Sequence, residues 1–390
     1  MRAGWAEACI TPARGVSLLG YDYRQECLPA GNEGVLDDLW CRILVIADAE
    51  GGLAAWITFD LCIISVAFAR HLRRLAADEL GIGIERVLIS CSHTHSGPWL
   101  WEPELADSLG KVFAHQQGLR ADGPEAAYAE ELPTIMVTTL RRAAGLTVPV
   151  EARIAQAPIG LGYNRRVRTG RGVELCWNPQ EQDHLHPGPS ADPLCTVLEL
   201  RQISGRRRFV MASIGCHPVT LGKTSCLVSA DWPGRMLAYL RDWLPECQAG
   251  FVLGACGDVH PWIATQADAS GVDIVGRAAA AQVALLIESG GRPVPDVTLQ
   301  AQQSSLAIGQ TTLDLVVWHL GDLAILASPT EMFAGLSADL RRGLPGPVVV
   351  ATNTNGWTGY WPTKAAYAEG GYEVDAARAH GREPDDGQRL

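Results

Sequence analysis

The sequence predicts an α/β fold, because strand and helix signals alternate from one end of the 390-residue chain to the other. Two further observations agree with it. Polar, metal-competent residues recur where strand signals end, the usual place for ligand sites in α/β folds. No repeat, low-complexity linker or composition break divides the chain. Taken in order, residues 41–48 and 53–60 read as two strands, and Glu50-Gly51-Gly52 between them is a hairpin signal. Residues 65–80 have helical periodicity and stop at Gly81. Residues 86–92 form a short β-branched strand that runs into His93-Thr94-His95-Ser96-Gly97-Pro98. A second amphipathic helix covers 125–144, and a hairpin around Gly205 joins strands 194–202 and 208–216. Pro233 sits in the first turn of a helix running to about residue 244. Strand 250–256, helix 272–288, a hairpin of 313–320 and 323–327 around Gly321-Asp322, helix 330–342 and strand 348–352 follow. Segments 99–123 and 178–193 read as irregular, and residues 376–390 as a flexible tail.

Composition narrows the function. The formal charge is −11, from 43 acidic and 32 basic side chains, which argues against nucleic-acid binding and stable membrane association. Only three of the basic residues are lysines (Lys111, Lys223, Lys364), so no basic patch stands out. A hydrophobic share of 47% is enough for a large core. The start of the chain has no charged n-region followed by an apolar h-region, and the apolar run at 53–69 is broken by Asp60, so neither a signal peptide nor a membrane span is expected. Eleven cysteines without a CxxC pair point to free thiols and a cytoplasmic protein. Length alone, at one domain per roughly 150 residues, suggests two or three domains.

The chemistry-bearing residues follow strands: His93 and His95 after 86–92, His217 after 208–216, Asp258 and His260 after 250–256, and Glu331 after 323–327. An HxH pair at a strand end turns both imidazoles to one face, which suits a divalent metal, and with His217 the simple reading is a three-histidine zinc site. A lone histidine is more often a hydrogen-bonded core or loop residue; several in one strand-end series shift the balance toward metal. His184-Leu185-His186 lies in a Pro/Gly-rich stretch without strand character and is a poor second site. Asp60 and Asp231 read as partners orienting ligand histidines or equally as structural caps. Gly20–Tyr23 reads as a rim loop in numbers 20–23. Trp99, Trp101, Trp177, Trp262, Trp357 and Trp361 lie in or beside these loops, placed to stack on a sugar, to line an acyl pocket or simply to join the core. Phosphate-cradling glycine patterns are absent.

One ordered set of motifs carries a resemblance: Gly20-Tyr21, Trp56-Ile57-Thr58-Phe59-Asp60, the His93–Pro98 block, Asn164-Arg165, His217-Pro218, Ser229-Ala230-Asp231-Trp232-Pro233-Gly234, Gly257-Asp258-Val259, Thr330-Glu331, the run from Asn355 to Thr363, Tyr367 and Gly371-Tyr372-Glu373. From about Ala3 to Glu373 the chain resembles the catalytic domain of the neutral/alkaline, non-lysosomal ceramidases. The resemblance implies an α/β fold with a single large domain of mixed β-sheets flanked by α-helices, over residues 1–375, because the motifs run from one end to the other. It also implies one Zn2+ ion held by His93, His217, Glu331 and Tyr360. Tyr360 is equally readable as a hydrogen-bond donor beside the metal. His95 then becomes an acid/base or oxyanion group rather than a ligand, and Arg165 and Tyr372 face the substrate carbonyl. Asp258 belongs to the same catalytic set. Arg166 stands where the family has a serine.

The departures matter for substrate. The family's Gly-Asp-x-Ser-Pro segment reads Gly257-Asp258-Val259-His260-Pro261 here, so His260 replaces the serine nucleophile. His260 is readable as a general base or proton shuttle, as an extra ligand, or as a pocket-lining residue. The chain also ends near the point where large family members continue into an immunoglobulin-like domain. The expectation is a zinc-dependent hydrolase of the amidohydrolase type, cleaving an N-acyl bond in a small soluble substrate by metal-activated water. The alternatives are a zinc-dependent esterase or lyase acting on a carbohydrate-like substrate, and a non-catalytic metal-bearing binding module. A small-molecule partner is expected, and a homo-oligomer is compatible with the sequence.

Overall fold

The computed structural model describes residues 1–21, 24, 30–110, 122–295, 298–308 and 311–390. Its main sheet has nine strands. From one edge to the other these are Cys247–Leu253, Arg208–Ile214, Leu194–Gln202, Val148–Pro158, Arg2–Cys9, Trp40–Ala47, Leu53–Phe59 and Val87–Cys91, with short Arg292–Val294 paired to Val148–Pro158. The outermost pair at each edge is parallel and the interior pairs are antiparallel, which makes the sheet mixed. The expected first hairpin closes with Ala47 opposite Leu53.

Alternation along the strands sends successive side chains to opposite faces. On one face Leu44, Trp56, Met211 and Val252 meet Trp318, Ile325 and Val349 of a four-stranded sheet formed by Gln300–Ile308, Thr311–Leu320, Leu323–Ala327 and Val348–Ala351. On the other face, Ile43, Ile57 and Ile89 pack under helices Val66–Leu80 and Pro124–Gly145, through Leu72, Leu132 and Met136. The other half of that face packs Val197, Val210 and Phe251 under helices Asp231–Trp243 and Ser270–Glu288. Each fully buried Leu, Ile or Phe in these layers contributes about 1.5–3 kcal/mol. Val66–Leu80 begins and ends as its sequence dictates: the Ser65 side chain accepts from the Phe68 amide, and Gly81 takes the left-handed conformation at φ 65°. Ser270–Glu288 is long and apolar enough to cross a membrane; half of it is buried against the strands.

The structure departs from the sequence reading in several places. Helix 330–342 starts only at Ala334, because Glu331–Met332 pairs as a parallel strand with Tyr360–Trp361. Segment 99–123 contains a helix, Pro103–Gly110, and residues 111–121 lie outside the described set. Strand 250–256 is instead Cys247–Leu253. It stops where the backbones of Gly254 and Gly215 meet so closely that a Cβ on Gly254 would lie 2.8 Å from the Gly215 amide nitrogen. Strands Arg2–Cys9 and Val148–Pro158, rich in Ala, gave no sequence signal. Residues 376–390 include the end of helix Tyr372–Ala379 and a buried Arg382, whose guanidinium lies 4.5 Å over the Trp361 ring.

Residues 352–355 join the two edges of the main sheet. The Thr352 amide donates to the Leu253 carbonyl at 2.9 Å, and the Asn353 carbonyl accepts from the Cys91 amide at 3.1 Å. Asn355 donates to the Ile89 carbonyl and accepts from the Ile89 amide through its side chain. The loops after Val87–Cys91, Arg208–Ile214 and Cys247–Leu253 therefore converge.

Candidate metal centre

Two buried histidines and a buried glutamate meet at that convergence. His217 Nδ1–H donates to the carbonyls of Cys256 (2.6 Å) and Val259 (3.1 Å), so its Nε2 carries a lone pair, 3.0 Å from Glu331 Oε1. His93 has Nδ1 3.0 Å from the Cys62 carbonyl and Nε2 3.5 Å from the same Glu331 oxygen. Both rings thus turn Nε2 inward and are oriented from behind by main-chain oxygens, an arrangement common among metal-binding imidazoles. The other Glu331 oxygen accepts from the Trp357 indole N–H at 2.9 Å. His95 stands beside them, with Nε2 3.4 Å from His93 Nε2, its ring edge-on to Tyr21, and Nδ1 without a partner. Residues 22–23 of the expected rim loop lie outside the described set.

The electrostatics follow from crowding acceptors away from water. Burial depresses His217 to about 4, leaving it neutral at pH 7. Burial also lowers His95 well below its usual range, and the neighbouring His93 and His217 add to the effect. Burial opposes the charge on Glu331, yet His93 and His217 hold its carboxyl well below the ordinary range. Burial opposes charge on His93 as well, but Cys62 and Glu331 outweigh it and raise His93. An imidazole lone pair and a carboxylate oxygen 3.0 Å apart repel unless a cation lies between them. The set fits a divalent cation, and its nitrogen and oxygen donors suit zinc. Two cysteines also come near: Cys62 Sγ is 3.7 Å from His93 Nδ1, behind the ring, and Cys256 groups with His93 and His217 within 4.8 Å.

A second cluster adjoins the first. Arg165 is buried, and four of its hydrogen bonds go to protein partners: Glu373 (2.8 Å), His260 Nε2 (2.7 Å), the Gly257 carbonyl (2.9 Å) and the Tyr360 hydroxyl (3.3 Å). His260 also approaches the Trp177 carbonyl through Nδ1 at 3.3 Å. Burial and the adjacent Arg165 hold His260 well below its usual range. Arg166 donates to the second Glu373 oxygen (2.6 Å) and to the Gly370 carbonyl (2.7 Å), which gives this residue a defined structural place. Tyr360 lies opposite Glu331 in the parallel strand pair. Tyr372 packs its ring against those of Tyr360 (5.6 Å) and Trp177 (5.8 Å), and burial raises both tyrosine hydroxyls above their ordinary range. Asp258 bonds to the Ala334 amide and the Asn164 side chain at 2.8 Å each, bracing loops rather than reaching the histidines.

No family model matches the chain. Among solved structures, the crystal structure of neutral ceramidase from Pseudomonas aeruginosa superimposes with a TM-score of 0.75 at 17% identity, covering all of this chain and 75% of that one. A ceramidase complexed with C2 gives 0.77 at 17% identity, with the same coverage. The chain has the neutral ceramidase fold.

Within that ceramidase fold, the structure brings His93, His95, His217 and Glu331 together, with Tyr360 and Tyr372 at one side. Arg165 and His260 are tied to each other and not to the histidine–glutamate cluster's inner nitrogens. Asp60 pairs with Arg42 (2.7 Å) and the Trp40 amide, and Asp231 accepts from the amides of Thr220, Leu221 and Trp232, so neither orients a histidine ring. His184 and His186 are exposed. Sequence reasoning gave no role to Asn353 or to the Glu373 carboxylate, and it read Trp357 as an aromatic surface or core ring rather than as a hydrogen-bond donor to Glu331; the motif runs containing Glu373 and Trp357 were the available signals. A cavity of about 310 Å3, lined in part by Glu7, Asp37, Asp38, Arg42, Arg235 and Arg241, shares no residue with either cluster.

Proposed function

We propose that this chain is a zinc-dependent hydrolase that cleaves an amide, N-acyl bond in a small soluble substrate. The observation that carries the reading is the pair of inward-facing Nε2 atoms on one carboxylate oxygen, set in the neutral ceramidase fold. His93, His217 and Glu331 would hold the ion, with Tyr360 as the fourth protein group. The chemistry such an ion would supply there is Lewis acidity toward a carbonyl and toward water. His95 is neutral and has an unpartnered nitrogen, so it can take up a proton and return it to the leaving group. Tyr372 keeps its proton at neutral pH and can donate to a developing oxyanion. Arg165 acts by fixing Tyr360 and His260, since its hydrogen bonds are already engaged. Trp177 and Trp262, 39% and 42% exposed, offer aromatic surface for the rest of the substrate, Trp177 against His260 and Trp262 against Tyr163.

The lyase alternative asks His260 to abstract a carbon-bound proton, and its engagement by Arg165 speaks against that route. Incubation with N-acyl substrates tests the proposal. Chelation should abolish turnover, zinc should restore it, and oxygen-18 from water should enter the carboxylate product. Full activity after complete chelation would sink the metal-dependent reading, and solvent deuterium at carbon without oxygen-18 in a carboxylate would favour the lyase.

A further inference from the structure

One short segment touches both arms of the centre. The Asn353 amide donates to the carbonyl of Thr330, the residue before Glu331, and its carbonyl accepts from the amide of Cys91, two residues before His93. The main chain of Asn353 therefore sets the spacing between the two strand ends that supply these ligands. Its side chain reaches one of them directly, with the amide nitrogen 2.9 Å from His93 Nδ1. The amide oxygen is buried without a partner, so a half-turn of the amide offers an acceptor to Nδ1–H beside the Cys62 carbonyl. Four residues on, the Trp357 indole occupies Glu331 Oε2 and leaves Oε1 as the oxygen facing both histidines.

Hydrogen bonds on both sides hold the segment in one conformation. His93, Asn353 and Asn355 all have left-handed backbones, at φ 68°, 45° and 67°, a region that Asn and His enter more readily than most side chains and that surrounding bonds hold here. Here Ser90 and Thr354 exchange a side-chain bond at 2.8 Å, and Asn355 pairs twice with Ile89. Trp357 is buried in a cluster with Leu19, Cys62, Ile63 and Trp99. Cys62 in that cluster is the residue whose carbonyl holds His93.

We propose that residues 353–357 are the positioning clamp of the metal centre: Asn353 orients His93, and Trp357 restricts Glu331 to binding through a single oxygen. The inference rests on the metal-dependent reading above. Neither residue is a ligand, so loss of either should weaken binding without removing a donor.

The test uses the full chain as wild type, Trp357→Phe, Asn353→Ala and Asn353→Asp, each stripped of metal. Zinc is titrated against a competing chelator, Co2+ is followed by its visible absorption, and the metal-free melting temperature is recorded. Trp357→Phe keeps the ring and loses the N–H; it should bind zinc about 10–100-fold more weakly and change the Co2+ band, with the metal-free melting temperature little altered. Asn353→Ala should weaken binding by a similar factor. Asn353→Asp keeps an acceptor for Nδ1–H and should recover most of the affinity. Wild-type affinity and Co2+ spectrum in both Trp357→Phe and Asn353→Ala would overturn the clamp while leaving the metal centre standing. If Trp357→Phe does not fold, the contrast between the two Asn353 variants decides: equal affinities overturn the proposal. Absence of zinc and Co2+ binding by the wild type overturns the functional reading itself and the clamp with it.

Discussion

The two adjoining clusters are both buried and both built from histidine, glutamate and tyrosine, yet they differ in what they lack. Around Arg165 every strong group has an opposite partner: the guanidinium meets Glu373, His260 and Tyr360, and Glu373 also meets Arg166. Around Glu331 two imidazole nitrogens are turned on one carboxylate oxygen, and without a cation a proton held on His93 has to stand between them. A buried guanidinium that is already satisfied is scaffold, because removing a partner costs more than the pair contributes. A buried carboxylate and two inward imidazole nitrogens that need a proton between them form a set whose chemistry suits a cation. His260, which replaces the expected serine, stands on the completed side of this divide.

The largest expected effect breaks the cluster around Glu331. Glu331→Ala should abolish stoichiometric retention of divalent metal after dialysis, read by elemental analysis; retention at the wild-type level would erase the distinction between the clusters. Next comes the satisfied one. Arg165→Met leaves Glu373, fully buried, with Arg166 as its remaining cationic partner. It should cost about 3–5 kcal/mol in denaturant unfolding, and a loss below about 1 kcal/mol would show that the network is not structural.

A smaller effect concerns pH. Burial raises Asp258 from 3.8 to about 6. Its folded pKa exceeds its unfolded one, so the stability it contributes is complete below the unfolded value and is lost as pH rises through about 6. Asp258→Asn should flatten the fall in stability between acid and neutral pH, by an amount on the order of 1–3 kcal/mol; an unchanged slope in paired melts would contradict it. The smallest change is expected for His260→Gln, which retains an acceptor for Arg165 and a donor for the Trp177 carbonyl. Metal affinity should stay within about twofold, with roughly 1 kcal/mol of stability lost. A collapse of metal affinity would move His260 into the cluster around Glu331.

Much of the layout was legible because it is local. Ser65, Gly81 and Glu50-Gly51-Gly52 mark boundaries through their own conformational preferences, and the strand-end histidines follow from short apolar runs. What was hidden depends on distant partners. Glu373 reaches Arg165 from 208 positions away, and although each lies in a motif of the resemblance, nothing local says that the two pair. Glu331 looked like the first turn of a helix because residues 330–342 are amphipathic throughout. Its pairing with Tyr360 pulls the first residues into a strand, and that pairing is what turns the carboxylate to the histidines. The HxH pattern placed His93 and His95 near one another, but which ring nitrogen faces inward is decided by the Cys62 carbonyl for His93 and by those of Cys256 and Val259 for His217, information carried by the fold rather than by the motif.

The segment at 352–355 also has a consequence for how the protein is made. It is synthesised long after the two strands that it joins, Val87–Cys91 and Cys247–Leu253, both apolar and almost wholly buried in the finished molecule. Until it leaves the ribosome, each of those strands presents open amides and carbonyls to any neighbour able to extend it. Nascent chains stalled before residue 352 should therefore be sticky and dependent on chaperones, and the same few residues that set the spacing of the proposed ligands would mark the moment at which the protein becomes safe from its own copies.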